Sequence, residues 1–89
     1  MPIARRAVVH GRVQGVFFRD TVRRAADQRG VAGWAANRPD GTVEVWLEGD
    51  EDAVESMLRV LHDGPPRAEV ERVDVDEMEP EGLQGFEAR

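Results

Sequence analysis

The chain lacks cysteine and lysine entirely, and none of its 89 residues belongs to a long hydrophobic run. Without cysteine there is neither a disulfide nor a thiolate metal site. All twelve cationic side chains are arginine, so no lysine is present to form a Schiff base or to act as a general base. No apolar stretch approaches the roughly 18 residues that a membrane-spanning helix needs. Arg5 and Arg6 interrupt any signal-like hydrophobic segment early. Repeats, linkers and low-complexity tracts are also missing. The expectation is one soluble, cytoplasmic domain spanning residues 1–89, with a core that is adequate but not deep and with no membrane partner.

Positive charge is scarce in one half only. Residues 1–38 hold eight arginines and two acids, Asp20 and Asp27, and carry +6. Residues 39–89 hold four arginines and sixteen acids and carry −12, which leaves the net charge at −6. Such a molecule repels nucleic acid and acidic membranes as a whole. The arginines of the first half cluster around a glycine-containing stretch and can attract a small anion locally. The acidic half reads as a solvated surface that keeps the protein soluble, and a monomer fits the small size and charged exterior.

That stretch is Gly11-Arg12-Val13-Gln14-Gly15-Val16-Phe17-Phe18-Arg19. Glycine lets the backbone take positive φ and approach a ligand closely. A loop that enters a helix here points several peptide N–H groups at one spot, and a nest of this kind at a helix N-terminus holds an anion. Arg19 falls in the first turn of that helix, where its guanidinium can fold back and grip a phosphate through two donors. The phosphate cradle predicted on these grounds comprises Gly11, Arg12, Val13, Gln14, Gly15, Val16 and Phe17, with Arg19 as its cation.

The periodicity around this loop predicts the fold. Residues 5–10 are a short strand ending at Gly11. Phe18, Val22, Ala25 and Ala26 lie on one helical face, and Gly30 stands where a left-handed glycine ends a helix. Residues 31–37 are a weaker strand, and Arg38-Pro39-Asp40-Gly41 is turn chemistry. Thr42–Glu48 alternates strictly, with Val43, Val45 and Leu47 facing one way. Asp50 is placed to cap a second helix whose stripe is Val54, Met57, Leu58 and Leu61, and Gly64-Pro65-Pro66 stops it. His62, near its end, reads as a helix-dipole partner. Residues 68–77 form a further strand whose phase slips between Val70 and Val73, which indicates a bulge. A short strand is expected near Gln84–Ala88, anchored by Phe86.

This order predicts an α+β, ferredoxin-like βαββαβ sandwich: an antiparallel sheet of four to five strands with two helices on one face. The crossover helix makes strands 1 and 2 run the same way. With strand 3 between them they lie two spacings apart, roughly 9–10 Å. The loop after strand 1, Arg19 and Asn37 at the end of strand 2 then share one edge. A phosphate and one water fit the gap. Thr42 lies beneath, where its hydroxyl is expected to fix the Asn37 amide.

At these residues the chain resembles the acylphosphatases. Gly11–Arg19 looks like the family's phosphate-binding signature. Gly33-Trp34-Ala35-Ala36-Asn37, followed by Asp40-Gly41-Thr42-Val43-Glu44-Val45, looks like its second signature. Gly64-Pro65 and Ala68 fall where the family usually carries a Gly-Pro and an alanine. The resemblance covers nearly the whole chain, and the two signatures at this spacing are highly specific. It implies that Arg19 binds the substrate phosphate with the N–H groups of the 11–17 loop, that Asn37 positions the attacking water, and that Thr42 holds Asn37. Phe17, Ala35 and Ala36 differ in size from what other members carry and bear on substrate preference.

The chemistry agrees with that likeness. A cation, N–H donors and an amide stabilise charge on a transferring phosphoryl group and orient a water. The motif holds no carboxylate pair, metal cluster or general acid, so it is ill equipped to protonate a poor leaving group. An acyl phosphate leaves as a carboxylate, whose conjugate acid has a pKa of about 4, and needs no proton. The expected activity is hydrolysis of acyl phosphates to a carboxylate and inorganic phosphate, without metal or cofactor, with the substrate itself taking the water's proton. Bland readings stand beside this one. His10 next to the cradle reads as a strand-end structural histidine rather than a base, and Trp34 and Trp46 as packing aromatics. A non-catalytic anion sensor would use the same cradle without a positioned water. An RNA-binding domain of this topology would need paired aromatics on a basic sheet face, and here Trp46 stands among acids.

Overall fold

Alternation in the best strand of the sequence, Val43–Gly49, decides where the core lies. In the computed structural model, which describes residues 2–89, Val43, Val45 and Leu47 are fully buried beneath two helices. The elements follow in the order β1 (Ile3–Arg12), α1 (Phe18–Arg29), β2 (Ala32–Asn37), β3 (Val43–Gly49), α2 (Glu51–Asp63), β4 (Glu69–Met78) and β5 (Phe86–Ala88). The strands form one sheet in the order β4-β1-β3-β2-β5. β3 pairs antiparallel with both β1 and β2, and β1 pairs antiparallel with β4. β1 and β2 therefore point the same way with β3 between them, as the crossover argument requires.

The fifth strand departs from the all-antiparallel expectation, because β5 pairs parallel with β2. The cause is topological. β4 runs antiparallel to β1 and leaves the sheet at the end where β2 begins, since Met78 pairs with Ala4. The chain crosses that end and enters the vacant edge of β2 at Gly33. From there it can only run alongside.

Both helices bury the faces their spacing predicts. Phe18, Val22 and Ala26 of α1 and Val54, Met57 and Leu61 of α2 are buried, with Ala25 and Leu58 partly so. Gly30 ends α1 in the left-handed region, and the N–H of Val31 closes onto the Ala26 carbonyl. Asp50 occupies the N-cap position of α2 but makes no side-chain hydrogen bond there. Carboxylates at residues 50–52 favour this helix end by charge instead. β4, an edge strand, is mostly exposed and rich in acids, which discourages pairing with another edge.

The outer face of β3 is not the solvated surface that simple alternation implies. Trp46 is 6% exposed and Glu48 5%. Trp46 stacks on Trp34 of β2 at 6.5 Å between ring centroids. The Glu48 carboxylate accepts hydrogen bonds from the Trp46 indole (2.8 Å) and from the backbone N–H groups of Glu81 (2.6 Å), Gly82 (3.1 Å) and Leu83 (3.1 Å). One buried carboxylate thus clamps the connection that carries the chain from β4 to β5. Burial opposes its ionisation, but the N–H donors outweigh burial and hold its pKa below the ordinary glutamate range.

Candidate active site

β1, β2 and β5 all end on the same edge of the sheet, and α1 begins there. The loop from β1 to α1 is held at both ends by buried side chains, Val13 and Phe18. Between them Gly15 (φ 73°) and Phe17 (φ 60°) are both left-handed. For phenylalanine that conformation costs about 1–2 kcal/mol. It turns the loop so that the N–H groups of residues 14–17 meet no protein acceptor among the described residues; the first bond of the helix is Thr21 N–H to the Phe17 carbonyl. The first-turn N–H groups of α1 are free for the reason that all helix starts leave them free. A row of unmatched donors at a helix N-terminus attracts an anion.

Two of these residues, Gly15 and Phe17, line a cleft of about 430 Å³. Val13, Gly15, Phe17, Phe18, Arg19 and Asp20 line it from the loop and α1, Asn37 from β2, and Ala88 from β5. Arg19 and Asn37, separated by 18 positions in sequence, therefore share one concavity. The Arg19 guanidinium donates to the carbonyl of Arg89, which leaves its other N–H groups for a ligand. Arg89 is in turn fixed by its own N–H, bonded to the Ala35 carbonyl at 2.8 Å, and by its guanidinium over the Trp34 ring at 4.8 Å.

Asp20 was not expected in the site. Its carboxylate accepts a hydrogen bond from Arg23 at 2.8 Å and lies 3.2 Å from Arg24. The Arg23 bond, ahead of the attraction of both guanidinium charges, holds its pKa below the usual aspartate range. An ionised, doubly paired carboxylate has no proton to give and little free charge with which to repel a phosphate. Ala88 and Arg89 were not expected either. A three-residue strand carries no pattern that marks it as a wall of the site. The i, i+3 and i, i+4 spacing of Asp20 to Arg23 and Arg24 is a signal the sequence did offer.

Four of the expected cradle residues lie outside the cleft lining. Gly11 and Arg12 belong to β1 rather than to the loop. The register of β1 against β4 shifts between His10 and Gly11, so that Glu71 is the extra residue of the expected bulge. A Cβ at Gly11, whose φ is 127°, would lie 2.0 Å from the Glu69 carbonyl oxygen. The glycine is there to let β4 approach, not to admit a phosphate. The Arg12 side chain turns to the Arg67 carbonyl at 3.1 Å. Val16 packs partly buried against the core. The Gln14 side-chain amide donates to the carbonyls of Arg38 (2.8 Å) and Thr42 (2.9 Å), which ties the loop to the turn that follows Asn37.

Thr42 also differs from expectation. Its hydroxyl donates to Asp40 Oδ1 at 2.6 Å, and its backbone N–H to the same oxygen at 3.0 Å. A carboxylate two residues away is a nearer and stronger acceptor than the Asn37 amide. Among the described residues no hydrogen bond joins Thr42 to the Asn37 side chain. Thr42 holds the turn shut, with its carbonyl accepting from Arg38 N–H at 2.9 Å, and so fixes the backbone from which Asn37 projects. The hydroxyl bond is the main reason that the Asp40 pKa lies below the usual range.

Comparison with known proteins finds the acylphosphatase family model matching residues 5–88. An acylphosphatase of Rubrobacter xylanophilus is 54% identical over 86 residues, covering 94% of this chain and 77% of that one. An acylphosphatase of Thermococcus kodakarensis is 54% identical over 78 residues, covering 88% of this chain and 86% of that one. The crystal structure of acylphosphatase from Bacillus subtilis superimposes with a TM-score of 0.95 at 41% identity, covering 98% of both chains.

Proposed function

This chain belongs to the acylphosphatase family, and on that footing we propose how its own residues do the work of a hydrolase that splits the carboxyl–phosphate bond of acyl phosphates. The phosphoryl group sits on the unmatched N–H groups of residues 14–17 and the first turn of α1. Arg19 gives its remaining donors to the non-bridging oxygens, where charge is redistributed as the bond to the leaving carboxylate stretches. The Asn37 carboxamide accepts from the attacking water and aims its oxygen at phosphorus from the β2 side. The acyl group departs as a carboxylate, which needs no general acid, and Asp20 is in no state to act as one. The substrate's own phosphoryl oxygen takes the proton of the water.

What supports this reading is that Arg19, Asn37 and two of the residues with unmatched N–H groups, Gly15 and Phe17, line one cleft. The charge that a metal would otherwise neutralise is met by a guanidinium and N–H dipoles, so turnover needs no metal. A monomer acting in the cytoplasm on a small-molecule acyl phosphate, with no nucleic-acid partner, fits the acidic, charge-rich exterior. The experiment is hydrolysis of acetyl phosphate by the purified chain in the presence of a chelator. Turnover supports the enzyme. Phosphate binding without turnover leaves the anion sensor as the correct description.

A further inference from the structure

Phe17 combines two properties that folding alone does not explain. It is the sole non-glycine residue with positive φ among the described residues. The residue nevertheless remains 76% exposed, the most exposed of the large hydrophobic residues among those described. A strained backbone is normally offset by what its side chain buries, and this ring buries little. Glycine at this position would relieve the backbone and remove an apolar group from water. Strain that persists without a packing reason is a pointer to function.

The ring's position says which function. Phe17 lines the same cleft as Arg19 and Asn37, and its own N–H is one of the cradle donors. With a phosphoryl group on those donors, the bridging anhydride oxygen and the acyl carbon beyond it extend out of the cradle, on the side where the exposed Phe17 lines the cleft. Displacement at phosphorus is in line, so the acyl group must depart away from the water. The water comes from Asn37 on β2, and Phe17 comes from the loop after β1, two strands across the sheet. We infer that the Phe17 ring is the acyl-group contact of this enzyme and selects acyl phosphates whose acyl portion is a flat aromatic or comparably broad apolar group. An aromatic acyl group stacks on the ring and covers apolar surface that water otherwise wets. An acetyl group reaches too little of it to benefit.

This inference rests on the proposed placement of the phosphate, and its test separates the two. kcat/KM is measured for benzoyl phosphate and acetyl phosphate in the wild type and in Phe17→Ala, Phe17→Leu and Phe17→Asn, the last because asparagine tolerates the left-handed backbone. The wild type is expected to favour benzoyl phosphate. That preference should fall about fivefold or more in Phe17→Ala and Phe17→Asn, and by less in Phe17→Leu. Taking the ratio within each variant cancels the intrinsic reactivity of the two substrates. Inhibition by inorganic phosphate, which has no acyl group, should move far less than KM for benzoyl phosphate. A ratio that stays constant across the variants while both substrates turn over overturns the role of Phe17 and leaves the phosphate site standing. A phosphate inhibition constant that rises in step with KM also overturns it, since the ring then acts only through the loop. No turnover of either substrate by the wild type overturns the proposed hydrolysis on which this inference rests.

Discussion

Gln14 and Arg38 are joined by a 2.8 Å hydrogen bond from side-chain amide to backbone carbonyl, across 24 positions of sequence. The bond couples two walls of the cleft, the loop that carries the N–H donors and the turn that holds Asn37. Replacing Gln14 by Leu removes this bond and its partner to Thr42 but leaves the donors in place. Misplacement of the walls by a fraction of an ångström is enough to cost about 10–100-fold in kcat/KM. The lost pair of bonds costs about 1–3 kcal/mol of stability. Steady-state kinetics and urea unfolding of Gln14→Leu check both; unchanged kinetics would mean the walls are held without it.

Arg19 and Asn37 are expected to fail differently. Arg19→Ala loses substrate binding and inhibition by inorganic phosphate together, with a fall of about 10²–10³ in kcat. Arg19→Lys recovers little, because a point charge does not replace a planar fork. Asn37→Ala keeps phosphate inhibition and loses most of kcat, since an amide that aims a water acts on the reaction rather than on the ground state. Near-normal kcat in Asn37→Ala would remove the water-positioning role.

Gly11→Ala tests whether the first glycine of the motif serves the fold or the ligand. A methyl group there meets β4 backbone at 2.0 Å in a conformation that alanine rarely adopts. The expected cost is about 2–3 kcal/mol, read as a lower urea midpoint. The fraction that remains folded should retain phosphate inhibition. Loss of that inhibition at full stability would return Gly11 to the cradle.

Glu48 predicts an acid limit. Its folded pKa lies below the ordinary value because four donors outweigh its burial. Its contribution to stability is therefore complete above the unfolded value of about 4.3 and is lost as pH falls through the lower, folded value. Glu48→Gln lacks this titration. The gap in unfolding free energy between wild type and Glu48→Gln should be constant from neutral pH down to about 5 and shrink below about 4. A gap that widens with acid would contradict the sign.

Much of the site was readable from sequence because its signals are local. A left-handed glycine, a helix start and an arginine in its first turn follow one another within nine residues, and the crossover rule brings Asn37 to them. What was not readable depends on side chains meeting across the fold. The reach of Gln14 to Arg38 and Thr42 leaves no periodicity. Thr42 choosing Asp40 over Asn37 is a competition between acceptors that only geometry decides. Trp46 and Glu48 alternate as solvent-facing residues and are buried, Trp46 with the Trp34 ring stacked on it and Glu48 held by the backbone of residues 81–83, far off in sequence. Arg12 looked like part of a phosphate loop and is a strand residue, since β1 runs on through Gly11 wherever β4 can accommodate it.

The carbonyl that receives Arg19 is carried at the end of the shortest strand in the sheet. β5 pairs with β2 over three residues, and local opening is cheapest where the fewest hydrogen bonds must break. A guanidinium immobilised by a bound anion has less freedom to release that carbonyl. Occupancy at one end of the molecule is thereby linked to the docking of its outermost edge. The arrival of an inhibitor should be audible in slower deuterium uptake by the amides of residues 86–88.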